Sequence, residues 1–305
     1  MTEMLPAQSL DRAAPEETSP TFSPEPPKPR RERSTGASIA LHATLIGATI
    51  IALFPVVWVF LSSLKPRNSI QTSEITFLDN PTLENYRRVL FDTSFPTWFL
   101  NSVIVALFTM AIGIAMSATA GYALSRFNFP GKRGLMWVFL ITQMFPVAIL
   151  IVPIYTIMSR LGLIDTKASL IIAYCTVAVP FCAWMLRGYF DTIPKELDEA
   201  AALDGVGPFG TFWRVILPLA RPGLAVTAFY TFLTAWGEVA YAIAFLQTEE
   251  TLTLGAGLQQ FVPRFNPQWD LLTAGSILIM LPAAIVFFFT QKHLVGGLTA
   301  GGTKG

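Results

Sequence analysis

Long apolar stretches separated by short polar segments dominate the chain after residue 36. Six of them reach about 20 residues or more, the length that a helix needs to cross the hydrocarbon layer of a bilayer. They cover residues 39–64, 99–124, 134–157, 169–190, 219–246 and 271–290. The pattern predicts an all-α, polytopic membrane protein with six transmembrane helices. Prolines inside these spans, such as Pro146 and Pro153, predict kinks, because neighbouring helices can satisfy the freed carbonyls.

The first 36 residues have a different pattern. Seven prolines and almost no aliphatic run leave too little apolar surface to offset the entropy of an ordered chain. The segment ends in the basic residues Lys28, Arg30, Arg31 and Arg33. We therefore predict a disordered, Pro-rich cytoplasmic tail over 1–36 and a six-helix transmembrane domain over 37–305. A regulatory or lipid-binding arm is the alternative interpretation of the tail.

Composition and charge exclude several classes of protein. Hydrophobic residues make up 52% of the chain and charged residues 13%, against about 25% in an ordinary soluble domain. A net charge of +1 argues against a nucleic-acid binder, which would carry a basic excess. Two cysteines and two histidines argue against a Cys/His metal site.

The distribution of Lys and Arg predicts the orientation. With the N-terminus in the cytoplasm, fourteen of the 21 basic residues lie on the inner side of the six predicted spans and seven on the outer side. The positive-inside rule then places both termini in the cytoplasm. Arg126 and Arg187, at span edges, are expected to extend toward the inner interface.

Glu238 is the one carboxylate within the predicted spans. A charge in lipid is costly, so its side chain should face a cavity or a partner group. Two interpretations stay open: a group on the translocation path, or a structural Glu near the outer water boundary.

No Walker loop, H-E-x-x-H or G-x-S-x-G motif is present. The chain is therefore predicted to be a non-catalytic transport protein, with no cofactor or metal of its own.

The polar segment 191–218 is the most informative part of the chain. It reads as a short helix with acidic residues at its positive end, a glycine stop at Gly205 and a second helix. Leu197, Ala200 and Ala201 share one face, where two alanines leave a shallow surface for another protein. Pro218 is expected to open the next span. The segment is typical of a docking element.

The residues of this segment carry a resemblance to a family. Glu199, Ala200, Ala201, then Gly205, then Leu217 and Pro218 match the E-A-A-x-x-x-G-x(9)-I-x-L-P loop of ABC importer permeases, with Val215 where that pattern prefers Ile. The stretches 121–132 and 144–155 resemble the sugar-importer branch, and the chain end 294–305 resembles MalG-like maltose/maltodextrin permeases. The resemblance covers residues 37–305 and implies the type I ABC importer permease fold.

The resemblance also implies partners in a bacterial cytoplasmic (inner) membrane. These are a second permease subunit (MalF-like), an ATPase homodimer (MalK-like) that binds ATP and Mg²⁺, and an extracytoplasmic sugar-binding protein. The 191–218 loop would couple ATPase closure to alternating access.

Within the extracytoplasmic loop 247–270, residues 255–270 resemble the segment that enters the sugar cleft of the binding protein and helps to eject sugar. Its candidate residues for this contact are Gln259, Gln260, Phe261, Asn266 and Pro267. An ordinary polar outer loop is the other interpretation.

Three alternatives to maltose import remain. A permease of the same architecture could carry another oligosaccharide or glycerol phosphate. A stand-alone ion-coupled carrier would usually show several intramembrane ionisable groups. A membrane enzyme would need a catalytic constellation, which the sequence lacks.

Overall fold

The computed structural model describes residues 35–67 and 80–300, with residues 293–300 described by their backbone alone. The chain divides into two units, Met1–Ala52 and Leu53–Gly305. In the first unit, the described residues form the start of helix α1 (Thr35–Ser63). Its apolar side chains there are exposed, as expected of a helix in contact with lipid. The predicted tail lies almost wholly outside the described residues, so the boundary at residue 36 stays a prediction.

The second unit continues α1 and adds eleven helices, with no strand among the described residues. They are α2 (Glu84–Phe91), α3 (Phe95–Arg126), α4 (Lys132–Thr142), α5 (Val147–Arg160), α6 (Lys167–Phe190), α7 (Glu196–Leu203), α8 (Pro208–Leu219), α9 (Arg221–Gly237), α10 (Ala240–Phe245), α11 (Leu254–Leu258) and α12 (Trp269–Ala300).

Four of the six predicted spans are single long helices, and the described residues allow up to six spans if each bent pair counts as one. The predicted span 134–157 is instead the pair α4 and α5, bent by 108°. Pro146, which has no amide hydrogen to donate, occupies the N-cap of α5 at this bend. The predicted span 219–246 is also interrupted, because Glu238 adopts an extended conformation between α9 and α10.

Small residues allow the central helices to approach closely. A Cβ atom on Gly121 of α3 would lie 3.0 Å from the Ala183 carbonyl oxygen of α6. One on Gly113 would lie 3.1 Å from the Thr231 methyl group of α9. Such contacts are typical of membrane helices, where close backbone packing replaces the hydrophobic driving force. Helices α3, α6 and α9 therefore form the centre of the second unit.

Two buried clusters lie at opposite ends of α3 and α6. The loop end comprises the N-terminal ends of these helices with the segments 161–166 and 246–261, and it buries Trp98 and Phe245. The coupling end comprises their C-terminal ends with α7 and α8, and it buries Tyr122 and Phe212.

Candidate functional site

Helix α7 carries the predicted docking residues. Three acidic residues lie in its first turn, where the helix dipole stabilises negative charge. Glu199 and Ala200 are exposed, whereas Ala201 is buried against the protein. Leu197, Ala200 and Ala201 thus do not present one common outer face. The surface left for a partner consists of Glu199, Ala200 and the neighbouring exposed side chains.

Three large apolar side chains extend that surface beyond the predicted residues. Leu203 is 90% exposed, Phe209 75% and Trp213 53%. A contiguous exposed apolar surface beside charged groups is typical of a protein contact site.

Gly205 ends α7 in the predicted left-handed conformation, with φ of +76°. The amide of Val206 donates to the Ala201 carbonyl, which satisfies an acceptor at the helix terminus. A Cβ atom added to Gly205 would have no described atom within 4 Å, so the backbone conformation alone favours glycine here.

Leu217 and Pro218 lie in the last turn of α8, directly after a π-helical turn at Phe212–Ile216. The expectation that Pro218 opens the next span is wrong. Helix α9 begins at Arg221 after a bend of 81°, and Pro222 occupies its first turn, where a missing amide is tolerated. π-Helical turns frequently occur at functional sites.

A buried ionic cluster joins α7 to α3. Arg126 Nε lies 2.9 Å from a carboxylate oxygen of Asp198, and the Tyr122 hydroxyl donates to the other oxygen at 3.1 Å. Arg126 Nη2 donates to the Ile193 carbonyl at 3.0 Å, and the Arg126 side chain is 6% exposed. The expectation that Arg126 extends to the interface is therefore wrong. We call Tyr122, Arg126 and Asp198 the Asp198 cluster.

The Asp198 cluster was not predicted from the sequence, because Tyr122 and Arg126 lie 72 residues or more from Asp198 in the chain. The available signal was a Tyr and an Arg four residues apart at the end of a span, facing an acidic loop helix. A cavity of about 260 Å³ adjoins the cluster, with Lys195, Glu199 and Ala202 on its wall. The cluster therefore lies directly behind the exposed face of α7.

The predicted binding-protein residues divide into exposed and buried ones. Gln259, Gln260 and Asn266 are exposed, whereas Phe261 is 5% exposed, with its ring centroid 5.6 Å from that of Trp98. Phe261 thus packs inside the loop end. Two other aromatic residues of this loop are exposed, Phe265 at 80% and Trp269 at 41%, and neither was among the predicted residues.

Asp165 orders the start of the same loop. Its carboxylate accepts hydrogen bonds from the amides of Gln247 and Thr248 and from the Thr251 hydroxyl. Partial burial alone would raise the pKa of Asp165, but these hydrogen bonds outweigh that effect and lower the pKa to about 2.

Glu238 caps the short helix α10. Its carboxylate accepts from the Ala240 amide at 2.8 Å and from the Tyr241 amide at 3.0 Å. This contact favours the structural interpretation, although the partner is the next helix of the same chain. Nearby, the buried hydroxyls of Tyr174 and Tyr241 have no hydrogen-bond partner among the described residues.

The described side chains hold no group of three or more potential metal ligands.

Comparison with known families matches residues 113–299 to the family described as binding-protein-dependent transport system inner membrane component. The chain is 38% identical to the maltodextrin transport system permease protein MalD of Streptococcus pneumoniae, over 86% of this chain and 93% of MalD. It is 36% identical to the maltose/maltodextrin permease MalG of Vibrio vulnificus, over 87% and 95% of the two chains. It is 34% identical to the trehalose permease SugB of Mycobacterium tuberculosis, over 88% and 100%.

A solved structure supports the fold. A chain of a bacterial ABC transporter that imports the acidic polysaccharide alginate superposes with a TM-score of 0.75 and 24% identity. The match covers 87% of this chain and 99% of that one. The predicted type I importer permease fold is confirmed.

Proposed function

This chain belongs to the family of binding-protein-dependent transport system inner membrane components and is a non-catalytic permease subunit of an ABC importer, and from that premise we propose that it imports a sugar, most readily maltose or a maltodextrin. The substrate assignment rests on the maltose and maltodextrin permeases among its relatives. These match this chain over nearly their whole length. A transporter for another sugar is the second candidate. Trehalose and galactooligosaccharide permeases, each 34% identical, favour it.

The proposed assembly contains a second permease (MalF-like), an ATPase homodimer (MalK-like) and an extracytoplasmic binding protein. ATP and Mg²⁺ belong to the ATPase, and this chain holds neither. The protein resides in the bacterial inner membrane with both termini in the cytoplasm. The basic residues concentrated beside α3, α6 and α7 support this orientation.

The ATPase docks on the exposed face of α7. Glu199 and Ala200 supply the acidic and small parts of the contact, and Leu203 and Phe209 supply its apolar part. Gly205 sets the direction in which the chain leaves α7 toward α8. Leu217 and Pro218, in the last turn of α8, position the bend that leads into α9.

Movement of α7 reaches the membrane helices through the Asp198 cluster. Because Arg126 and Tyr122 belong to α3 and Asp198 to α7, a displacement of α7 is transmitted to α3 through charged contacts. The ATPase can shift the equilibrium between inward- and outward-facing states only if it binds one state more tightly. Because the Asp198 cluster links α7 to α3, the affinity of the ATPase for α7 depends on the position of α3.

The binding protein contacts the exposed Gln259, Gln260 and Asn266 of the outer loop, together with the half-buried Pro267. Phe261 supports the loop from inside, since it packs on Trp98. Glu238 is a candidate for the translocation path, and its position beside two buried tyrosine hydroxyls supports this role.

The test is ATP hydrolysis in proteoliposomes that hold this chain with its co-encoded permease and ATPase. Hydrolysis is compared without binding protein, with empty binding protein, and with binding protein plus maltose, maltotriose or trehalose. Stimulation by the maltose-loaded binding protein is expected. Stimulation by trehalose alone would replace the substrate assignment. Solute uptake without any associated ATPase would favour a stand-alone carrier and contradict the docking role of α7.

A further inference from the structure

A basic cleft opens between the first turn of α4 and the C-terminal part of α6. It has a volume of about 470 Å³ and is lined by Phe129, Gly131, Lys132, Arg133, Met136 and Arg187. No acidic side chain lines it among the described residues. The nearest carboxylate is that of Asp191, 3.5 Å from Arg187. The cleft therefore concentrates positive charge at one edge of the helix bundle.

The cations of the cleft are incompletely neutralised. Arg187 Nη1 contacts the thioether sulfur of Met136, which is a weak acceptor, and Arg187 Nε forms only a long ion pair with Asp191, at 3.5 Å. The Lys132 ammonium donates to the nearby Phe127 carbonyl, which carries no full charge. Arg133 is exposed. A guanidinium that is 28% exposed and contacts sulfur is a site where an anion would bind favourably.

The surface next to the cleft is apolar. None of the eleven residues of α4, all of which the structure describes, is buried. Trp137 is 60% exposed, Val138 53% and Ile141 48%. Cationic groups at a helix end with an exposed Trp and an apolar helix face below match a phospholipid, whose headgroup is charged and whose acyl chains are not.

We propose that this basic cleft binds the phosphate headgroup of an anionic phospholipid, with the acyl chains along the exposed face of α4. Arg133, Lys132 and Arg187 contact the phosphate, and the uncapped first turn of α4 adds positive potential. Because Arg187 pairs with Asp191, which accepts a hydrogen bond from Ser125 beside the Asp198 cluster, bound lipid stabilises this end of α6. Only the choice of the cytoplasmic leaflet rests on the proposed function.

The test is native mass spectrometry of the complete transporter, exchanged into equal amounts of phosphatidylglycerol and phosphatidylcholine. Preferential retention of phosphatidylglycerol is expected. Arg133→Gln should reduce that retention about fivefold, since one cation near an anionic lipid contributes about that factor. Arg160→Gln is the matched control, because Arg160 is likewise an exposed arginine and ends α5, outside the cleft.

Three outcomes would overturn the proposal. They are equal retention of the two lipids by the unaltered chain, equal loss in the Arg133 and Arg160 variants, and displacement of the lipid by glycerol phosphate at the same concentration. The last outcome would assign the cleft to a soluble anion. The readout depends on neither sugar nor ATP, so failure here is distinct from failure of the proposed transport function.

Discussion

The two ends of α3 and α6 are held together by different chemistry. At the loop end, side chains, the Asp165 carboxylate among them, bind the backbone of the 246–258 segment. The Asn101 amide donates to the Glu250 and Leu252 carbonyls at 2.8 Å each, and the Leu254 amide donates to Ser102 Oγ at 2.8 Å. At the coupling end, charged side chains meet each other in the Asp198 cluster.

This difference indicates which of the two ends allows the packed helices to shift relative to one another. Side chains that bind backbone atoms fix the loop in one register, because each donor has one acceptor position. An ion pair between two helices can tolerate a change in their separation, because Coulombic attraction decays gradually with distance. We infer that the loop end serves as a rigid base and that the coupling end transmits motion.

Arg126→Met tests the coupling end most severely. Removing Arg126 leaves the Asp198 carboxylate, which is 22% exposed, without its partner charge, and we expect a loss of about 2 kcal/mol in the free energy of unfolding. The measurement is the thermal unfolding midpoint of the purified transporter. The double variant Arg126→Met/Asp198→Leu should recover most of the stability while sugar uptake stays low. Wild-type uptake in the double variant would show that the cluster is structural only.

Gly205→Asp tests the docking helix itself. A side chain at φ of +76° costs about 1–2 kcal/mol, so the exit from α7 should shift and co-purified ATPase should fall about tenfold, with membrane insertion intact. Gly207→Asp is the matched control, because Gly207 has an ordinary φ of −68° and lies two residues away. Wild-type levels of ATPase with the Gly205 variant would contradict the docking assignment.

Asp165→Asn tests the rigidity of the loop end. Asparagine tolerates the positive φ of 61° at this position but accepts hydrogen bonds more weakly than a carboxylate. The Gln247 and Thr248 amides should exchange with solvent about fivefold faster. Hydrogen exchange followed by mass spectrometry measures this change.

The pH dependence of amide protection provides a second test of Asp165. Because the pKa of Asp165 is lowered to about 2, its contribution to stability is present above the ordinary value near 4 and is lost as the pH falls from about 4 to about 2. The unaltered chain should lose protection of these amides in that window, and the Asn variant should not. Parallel pH profiles would show that Asp165 does not order the loop.

Glu238→Gln should have the smallest effect. The glutamine carbonyl can still cap α10, so the unfolding free energy should change by less than about 0.5 kcal/mol and assembly should persist. We expect lower sugar uptake, because the charge beside the two tyrosines is lost. The measurement is sugar uptake relative to ATP hydrolysis, compared between the Gln variant and the unaltered chain. Unchanged uptake would leave Glu238 as a helix cap only.

Residue type and local spacing predicted how helix α7 begins and ends. They did not predict which groups surround a given side chain. The left-handed stop at Gly205 and the acidic start of α7 follow from residue type and position within a helix, so they could be predicted. The directions of Arg126 and Phe261 could not. A residue at a span edge can face the interface or a neighbouring helix, and only the position of that neighbour decides which.

The sequence by itself determined the membrane class, the apolar helices and the left-handed stop at Gly205, because hydrophobic length and residue type are properties of the chain in one dimension. The sequence also predicted the kink at Pro146, whereas tertiary structure decided that the span 219–246 is interrupted at Glu238 and which side chains meet. It also brought Tyr122 and Arg126 to Asp198, which is 72 residues further along the chain than Arg126. Such contacts depend on how α3, α6 and α7 pack in three dimensions, and no periodicity along the chain encodes that packing.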